Sequence, residues 1–334
     1  MNFLHIYWPS LVNPLCAFLL APLLIGVINR VKALFGGRTG PPLWQPYYDL
    51  QRLLQKGVVY SRTVSWAFLL GPTVGLAALV LIQLILPLGS HPGFISFGGD
   101  FILFVYLLGV ARFCTILSAL DTGSAFEGMG ASREALFSTL AEPALLLGLA
   151  AVAHVAHSQV PPTLPNAVTE AVSTEAVPPA FEVSMSHIHA LLSYHTWGRH
   201  GMVLALVASS FFIVLLCENS RMPVDDPTTH LELTMIHEVM ALDHSGPDLA
   251  FIEYTSALKH WALGSLLLGM ITPVNSGLLV DIPAALMAMF ALAVLIGVVE
   301  STMARLRMSR VPQFLVGAAA ISALALVLEY GYRE

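Results

Sequence analysis

Residues 282–299 read IPAALMAMFALAVLIGVV, a run of 18 residues without a charged side chain. The run is bounded by Asp281 on one side and Glu300 on the other. A helix of about 20 apolar residues crosses the hydrocarbon core of a bilayer, which is about 30 Å thick. The run therefore predicts a membrane-spanning helix, and similar runs recur along the chain.

The composition of the whole chain agrees with this interpretation. Of the 334 residues, 56% are hydrophobic and 11% are charged, and the mean hydropathy is +0.76. A water-soluble domain of this length would expose far more apolar surface than solubility allows. A bilayer accepts that surface, so the composition excludes an ordinary soluble enzyme and predicts an integral membrane protein.

Eight apolar runs predict eight transmembrane helices. They cover residues 9–29, 64–88, 101–120, 135–156, 201–217, 261–280, 282–299 and 311–328. No basic segment precedes the first run and no small-residue cleavage site follows it, so we expect a helix rather than a removable signal peptide. The predicted fold class is an all-α polytopic membrane protein with residues 1–334 in a single integral membrane domain.

The basic residues predict the orientation of these helices. Twelve of the 15 Lys and Arg residues fall on one side of the eight spans, Arg199 and Arg333 fall on the other, and Arg112 lies within a span. Basic residues concentrate on the cytoplasmic side of membrane proteins. We therefore expect a multi-pass protein of a bacterial or archaeal cell (inner) membrane, with both termini outside.

The cysteine pattern argues against a metal centre within this chain. Cys16, Cys114 and Cys217 each lie in an apolar run, and no two have the spacing of a ligand pair. We interpret them as packing residues. The proline-rich stretch 157–200 predicts an external loop, to which we assign no chemistry. We expect this chain to bind no metal and no cofactor of its own.

The segment after the first span predicts a cytoplasmic amphipathic helix. It begins with turn formers, GRTGPP at residues 37–42. Apolar residues then recur at spacings of four, three and four, which places them on one helical face: Leu43, Tyr47, Leu50 and Leu54. Such a helix either lies on the membrane surface against its own spans or forms part of a docking surface for a soluble partner.

Three charged residues are predicted at membrane depth: Arg112 in the third span, Glu142 in the fourth and Glu300 at the end of the seventh. A charged group at that depth is costly unless it faces protein or water, which makes it a functional candidate. Pro143 follows Glu142 and removes a backbone donor, so the helix should be looser there. The three charges form either a structural ion pair or an ion pathway.

The stretch 218–259 between spans five and six predicts an acidic cytoplasmic loop. It contains eight carboxylates and two basic residues, a net charge of −6 that equals the charge of the whole chain. This charge opposes the basic character of the other cytoplasmic segments, so we expect a functional requirement to maintain it. Glu232 and Glu238 are six residues apart, about 600° of helical rotation, and should not form a pair on one helix.

Local signals within this loop predict a helix. Asp226 followed by Pro227 is a favourable helix start, with a carboxylate cap and proline in the first turn. If the helix continues, His230, His237 and His244 recur every seven residues and share one stripe.

These loop residues resemble a known family. The stretch RMPVDDPTTHLELT at residues 221–234, followed by DHSG at 243–246, is similar to the complex I subunit 1 family, which includes the corresponding membrane subunit of bacterial NADH-quinone oxidoreductase. The resemblance covers nearly the full chain apart from the predicted external loop. It is closer to the hydrogenase branch, which includes formate hydrogenlyase subunit 4 and hydrogenase-4 component C.

The motifs of this branch differ from those of the quinone-reducing branch. That branch typically has Pro-Phe-Asp, then Pro-Glu-Ala-Glu, and finally Glu-Tyr-Ser-Gly. The corresponding positions here read Pro-Val-Asp at 223–225, Pro-Thr-Thr-His at 227–230 and Asp-His-Ser-Gly at 243–246. These departures count against a quinone as cofactor.

The resemblance implies the membrane-anchor and coupling subunit of a complex-I-like nickel–iron hydrogenase. The implied partners are a hydrogenase-like large subunit, a small iron–sulfur subunit and antiporter-like membrane subunits. The iron–sulfur clusters and the nickel–iron centre would belong to those partners, so no catalytic residue is assigned here. A redox event in the soluble arm would change the protonation or position of the acidic loop, and buried charges would pass the change towards proton or sodium translocation.

Two sets of residues follow from this implied role. Docking of the peripheral arm is assigned to residues of the two cytoplasmic segments: Arg38, Pro41, Arg221, Asp225, Asp226, His230, His237 and Asp243. The coupling or ion pathway is assigned to one arginine and five carboxylates: Arg112, Glu142, Glu218, Glu232, Glu238 and Glu300.

Two other functions stay open. A quinone-site subunit of an NADH-quinone oxidoreductase would need a headgroup-sized cavity lined by the Arg38 and Asp225 segments. An independent secondary transporter would also place charges and a proline-broken helix at membrane depth. The hydropathy pattern lacks an internal repeat, which argues against the transporter.

Overall fold

The structure is a computed structural model that describes residues 2–88, 92–158, 184–225, 235–272 and 277–331, with the backbone alone for residues 2–9, 278 and 279. The described residues form α-helices and no β-strand. The helices are α1 Asn2–Phe35, α2 Gln45–Leu54, α3 Trp66–Ile85, α4 Asp100–Asp121, α5 Ala125–Ser158, α6 Met185–Leu191, α7 Tyr194–Glu218, α8 Gly246–Ile271, α9 Leu278–Thr302 and α10 Val311–Gly331.

Seven helices among the described residues are long and apolar enough to cross a membrane. They are α1, α3, α4, α5, α7, α9 and α10, and they coincide with the predicted spans one to five, seven and eight. The all-helical, multi-pass membrane fold is therefore confirmed.

The predicted sixth span differs from its expected form. Helix α8 has 26 residues but carries Asp248, Glu253, Lys259 and His260. It ends at Ile271, and α9 begins at Leu278, so the predicted limits 261–280 are wrong. Protein surrounds much of α8, which packs on α1, α2, α3, α7 and α9. A helix in that position tolerates polar residues because they meet other helices instead of lipid. An eighth crossing by α8 stays a prediction.

Contacts between loops define two ends of the bundle. At one end, which we call the basic end, Ser65 at the start of α3 contacts Asp121 at the end of α4, and the Asp243 amide donates to Glu127 at the start of α5. The basic end carries residues 36–44, 55–65, 122–124, 219–225, 235–245 and 303–310. At the opposite end, the Met185 amide donates to Asp100 at the start of α4.

Helices occupy parts of both predicted loops. Helix α8 begins at Gly246, so among the described residues of the predicted coupling loop 218–259, only 219–225 and 235–245 lie outside the long helices. Within them, Glu238–Ala241 form a short 3-10 helix. The described part of this segment has no continuous helix joining His237 and His244, which contradicts the predicted histidine stripe. The predicted external loop 157–200 likewise contains α6 and the start of α7.

Helix α2 is present, but its buried face differs from the predicted one. Leu53 is buried, whereas Leu43 and Leu54 are exposed. The Tyr47 hydroxyl donates to the carbonyl of Leu19 and holds α2 against α1. A side chain at Gly26 of α1 would overlap the Leu43 carbonyl, so glycine is required where the chain passes over α1.

Reporter fusions test the topology and the role of α8. We expect fusions after Arg62 and after Asp243 to report from the cytoplasm, because both lie at the basic end. Fusions after Ser158 and after Gly277 should report from outside. If fusions after Asp243 and Gly277 report from the same side, α8 does not cross the membrane, and the eight-span topology is wrong.

Candidate functional site

A buried arginine connects three of the long helices. Arg112 lies in the middle of α4, and its side chain is 6% exposed. Its guanidinium donates from Nη1 to Oε1 of Glu218 at 2.7 Å and from Nη2 to Oε1 of Glu142 at 2.8 Å. Glu218 is the last residue of α7 and is 5% exposed, whereas Glu142 of α5 is 43% exposed. Such charge-assisted hydrogen bonds are the strongest in proteins.

Two more charged residues complete what we call the Arg112 network: Arg112, Glu134, Glu142, Glu218 and Lys259. The Lys259 Nζ of α8 lies 3.9 Å from Oε2 of Glu218. Glu134 of α5 is buried and lines a small cavity together with Arg112 and Lys259. The network thus contains three carboxylates and two cations. The carboxylate in excess of the two cations is offset by the partial exposure of Glu142, since the other four members are buried.

The small cavity lies between charged groups of several helices. Its volume is about 30 Å³, and Arg112, Glu134, Lys259 and His237 all line it. Close packing of α3 on α4 forms one wall, since a side chain at Gly71 would press against Ser118. A space of this size is large enough for one water molecule. Its lining combines these four ionisable side chains with apolar residues such as Pro72 and Leu79.

A much larger cavity lies beside the network at the basic end. Its volume is about 620 Å³. Its walls come from α1, α2, α8, the segment between α1 and α2 and the segment between α7 and α8. They include Pro41, Pro42, Asp225, Glu238 and Glu253. This volume falls within the range of roughly 300–1,000 Å³ that is typical of small-molecule sites.

His237 lines both cavities. Its Nδ1 is buried and makes no hydrogen bond with a described residue. Desolvation of the ring and the nearby Lys259 ammonium lower the pKa of His237 to about 3. The imidazole is therefore neutral at neutral pH and lies between the large cavity and the Arg112 network. The docking role that the resemblance implies for His237 stays a prediction.

Glu300 belongs to a separate cluster. It lies near the end of α9, and its carboxylate accepts from Nη1 of Arg221 at 3.3 Å and lies 3.0 Å from Nζ of Lys32. Asp225 is also buried, pairs with Arg305 at 2.7 Å and accepts from the Ile236 amide. These pairs fasten the segment after α7 to α1 and α9. Arg221 and Asp225 are both buried and each forms an ion pair, Arg221 with Glu300 and Asp225 with Arg305. Their docking role stays a prediction.

The DHSG motif joins the two predicted cytoplasmic segments. The ring of His244 stacks on Phe68 at 3.9 Å, and its Nε2 lies 2.9 Å from the Ser118 hydroxyl. The Ser245 hydroxyl accepts from the Val59 amide. Gly246 has a φ of +56°, and a side chain there would press against the carbonyl of Gly57. The described contacts of this motif thus include residues 57–68, Ser118 and Glu127.

The remaining predicted residues divide into two groups. Four are exposed at the basic end: Arg38, Pro41, Glu238 and Asp243. Three lie outside the described residues: Asp226, His230 and Glu232.

The sequence analysis did not identify two members of the Arg112 network, Lys259 and Glu134. The sequence pattern places Lys259 in a loop flanking a span, but the residue is buried thirteen residues after Gly246 in α8. The pattern places Glu134 at the cytoplasmic end of its span and indicates no role for it. The one available signal is its spacing of eight residues from Glu142, about two helical turns along α5.

Comparisons with known proteins agree with this geometry. A model of the NADH dehydrogenase family matches residues 10–330. The chain belongs to the NADH dehydrogenase family. The resemblance found in the loop residues is thereby confirmed.

Two relatives of this chain are subunits of formate hydrogenlyase and of hydrogenase-4. The chain is 29% identical over 310 residues to formate hydrogenlyase subunit 4 of Escherichia coli, covering 91% of this chain and 92% of the relative. It is 28% identical over 306 residues to hydrogenase-4 component C of the same organism, covering 89% and 87%.

A solved structure has the same fold. It is a chain in the structure of the membrane-bound sulfane sulfur reductase, an archaeal respiratory membrane complex. The TM-score is 0.74 at 19% identity, with 97% of this chain and 99% of that chain covered.

Thermal unfolding in detergent tests the Arg112 network. We expect Glu218→Gln to lower the free energy of unfolding by about 3–5 kcal/mol, because it leaves both Arg112 and Lys259 buried without this shared carboxylate. Glu142→Gln is the matched control and should cost about 1 kcal/mol or less, since that carboxylate is partly exposed. Equal losses in the two variants would contradict the central position of Glu218.

Proposed function

We propose that this chain is the membrane-anchor and coupling subunit of a complex-I-like nickel–iron hydrogenase. It would dock a hydrogenase-like large subunit and a small iron–sulfur subunit, and link their redox chemistry to proton or sodium translocation through antiporter-like subunits. The observation that carries the proposal is the Arg112 network, which lies directly beside a cavity at the basic end. The names of the two Escherichia coli relatives support the hydrogenase branch.

The charge of the network supports a coupling role. Three carboxylates share two cations, so the network can gain or lose a proton with a small change in the charge nearby. Glu142 suits a gating position because it contacts Arg112 while part of its side chain stays exposed. When a charge appears beside the network, it can weaken one of the two ion pairs that Arg112 forms, with Glu142 and with Glu218, relative to the other. This is how a redox event could reach the membrane without a cofactor in this chain.

The surface at the basic end supports a docking role. Arg38, Pro41 and Asp243 are exposed there, and the described contacts between residues 59 and 245 join the two segments that carry them. Iron–sulfur clusters and the nickel–iron centre stay assigned to the partners. Among the described residues, no group of three His, Cys, Asp or Glu is arranged to hold a metal ion.

A second candidate is the quinone-site subunit of a quinone reductase. The cavity of about 620 Å³ favours it, because Asp225 and Pro41 both contribute to its wall. Residues 223–246 depart from the quinone-branch motifs, which favours the hydrogenase assignment. Solvent extraction of the purified complex distinguishes the two. A bound quinone together with catalytic reduction of a short-chain quinone would support the second candidate.

Affinity purification tests docking. We expect the tagged chain to recover a hydrogenase-like large subunit and an iron–sulfur subunit. Arg38→Glu should reduce this recovery about tenfold, because it reverses a charge on the proposed docking surface. Arg199→Glu is the matched control, since Arg199 is exposed on α7 towards the opposite end. Normal recovery with Arg38→Glu, or an equal loss with Arg199→Glu, would count against this docking surface.

Inverted membrane vesicles test coupling. Glu142→Gln keeps the shape of the side chain and removes its titration, while Arg112 keeps its contact with Glu218. We expect hydrogen-linked electron transfer to persist and ion translocation, followed with pH- and sodium-sensitive dyes, to be lost. Asp121→Asn, at the exposed end of α4, should leave both unchanged. If the Glu142 variant assembles and translocates ions normally, the residue has no coupling role.

A further inference from the structure

A second set of titratable side chains lies at the opposite end of the bundle. Glu329 of α10 is fully buried. Its Oε2 lies 2.8 Å from Nδ1 of His200 in α7, and its Oε1 lies 4.0 Å from Nδ1 of His154 in α5. We call these three residues the Glu329 cluster. It is separate from the Arg112 network, and the proposed function does not use it.

Packing of α10 orients Glu329 towards the histidines. Ser322 lies seven residues earlier, or about two turns, and so on the same stripe of α10. Its hydroxyl donates to the Ala144 carbonyl of α5 and lies 2.8 Å from the Ser210 hydroxyl of α7. The stripe that carries Glu329 therefore faces the groove between α5 and α7.

The backbone of α7 changes direction at His200. This residue has φ −112° and ψ 19°, which are not helical values, although helix continues on both sides. Ser193 and Thr196 form a capping box before this break, and the Trp197 indole donates to the Met270 carbonyl. The short part of α7 before His200 is thus held by contacts of its own. The break in the helix lies where the His200 side chain contacts Glu329.

The titratable groups that face Glu329 come from each packed helix. They are His154 from α5, His200 from α7 and, on α10 itself, Tyr330, whose ring lies 4.3 Å from the ring of His154. His157 and Arg199 are near in sequence and make no described contact with Glu329. Among the described contacts, the groups that can neutralise this carboxylate are therefore imidazoles.

The charge of the cluster depends on proton binding. With both imidazoles neutral, a fully buried carboxylate carries a charge of −1, which is costly. One proton on an imidazole nitrogen makes a neutral ion pair, and histidine is the side chain that commonly changes charge between pH 5 and 8. The two histidine side chains retain 9% and 10% exposure, and Tyr330 is 57% exposed, so the cluster reaches the surface.

We propose that Glu329, His154 and His200 form a proton-binding site that exchanges protons with the aqueous phase at the opposite end of the bundle. One imidazole nitrogen takes a proton from water, and Glu329 stays ionised beside it. The site responds to the pH on that side of the membrane, whereas the Arg112 network lies towards the basic end. Helix α5 carries members of both, since His154 follows Glu142 by twelve residues, about 18 Å along the helix.

Histidine NMR of the full chain in lipid nanodiscs tests this proposal. The imidazole Cε1–H signals of His154 and His200, assigned with the His154→Gln and His200→Gln variants, should titrate between pH 5 and 8. Glu329→Gln should lower the midpoint of the His200 signal by about one pH unit, a tenfold loss of proton affinity, because the carboxylate that stabilises the imidazolium is gone. The titrations are run with a metal chelator, since these side chains are also metal ligands.

His195→Gln is the matched control. His195 is exposed in the first turn of α7, so its loss should remove one signal and leave the other midpoints unchanged. Signals of His154 and His200 that stay constant between pH 5 and 8 in the unmodified chain would overturn the proposal. So would an unchanged His200 midpoint in Glu329→Gln. If Glu329→Gln does not fold, the His154→Gln variant serves instead. It should still move the His200 midpoint, since both imidazoles share one carboxylate. An unchanged His200 midpoint in His154→Gln would also overturn the proposal.

Discussion

Arg112 lies on a helix that crosses the bilayer, and its guanidinium is almost completely removed from solvent. Burying a charge of this kind costs several kcal/mol unless partners neutralise it. The partners come from elsewhere in the chain: Glu142 of α5, Glu218 at the end of α7 and, through Glu218, Lys259 of α8. Four helices are thus held together at one depth because none of these charges can be left alone.

The same requirement explains why the most polar long helix is surrounded by others. Helix α8 carries Lys259 and His260, yet its Trp261 is fully buried. These polar groups would be unfavourable if they faced lipid. Within the bundle, Lys259 instead lies 3.9 Å from Glu218 of α7. The buried pairs of Glu300 and Asp225 repeat the pattern at the basic end, where they fasten the segment after α7.

The proposed coupling role depends on where these charges lie relative to the cavities. A network with one carboxylate in excess lies beside a space for water, and His237 separates that space from a cavity that opens near the proposed docking surface. A rigid arrangement of this kind can convert a nearby change of charge into a change of protonation. The Glu329 cluster places further titratable groups at the other end of α5 and α7.

The sequence by itself determined the membrane class, seven of the spans and, through the motifs after α7, the family. The membrane class and the spans follow from local composition, because twenty consecutive apolar residues have few alternatives to a spanning helix. The sequence left open whether Arg112 pairs with Glu142. It did not determine that Lys259 lies inside the bundle, that Asp225 and Arg221 are buried rather than exposed, or that Leu53 rather than Leu54 is the buried residue of α2. It also gave no sign that Glu329 meets two histidines more than 120 residues away. Only the tertiary structure decided these points, because the partner that neutralises a buried charge lies on a different helix, and helical periodicity carries no information about which helices become neighbours.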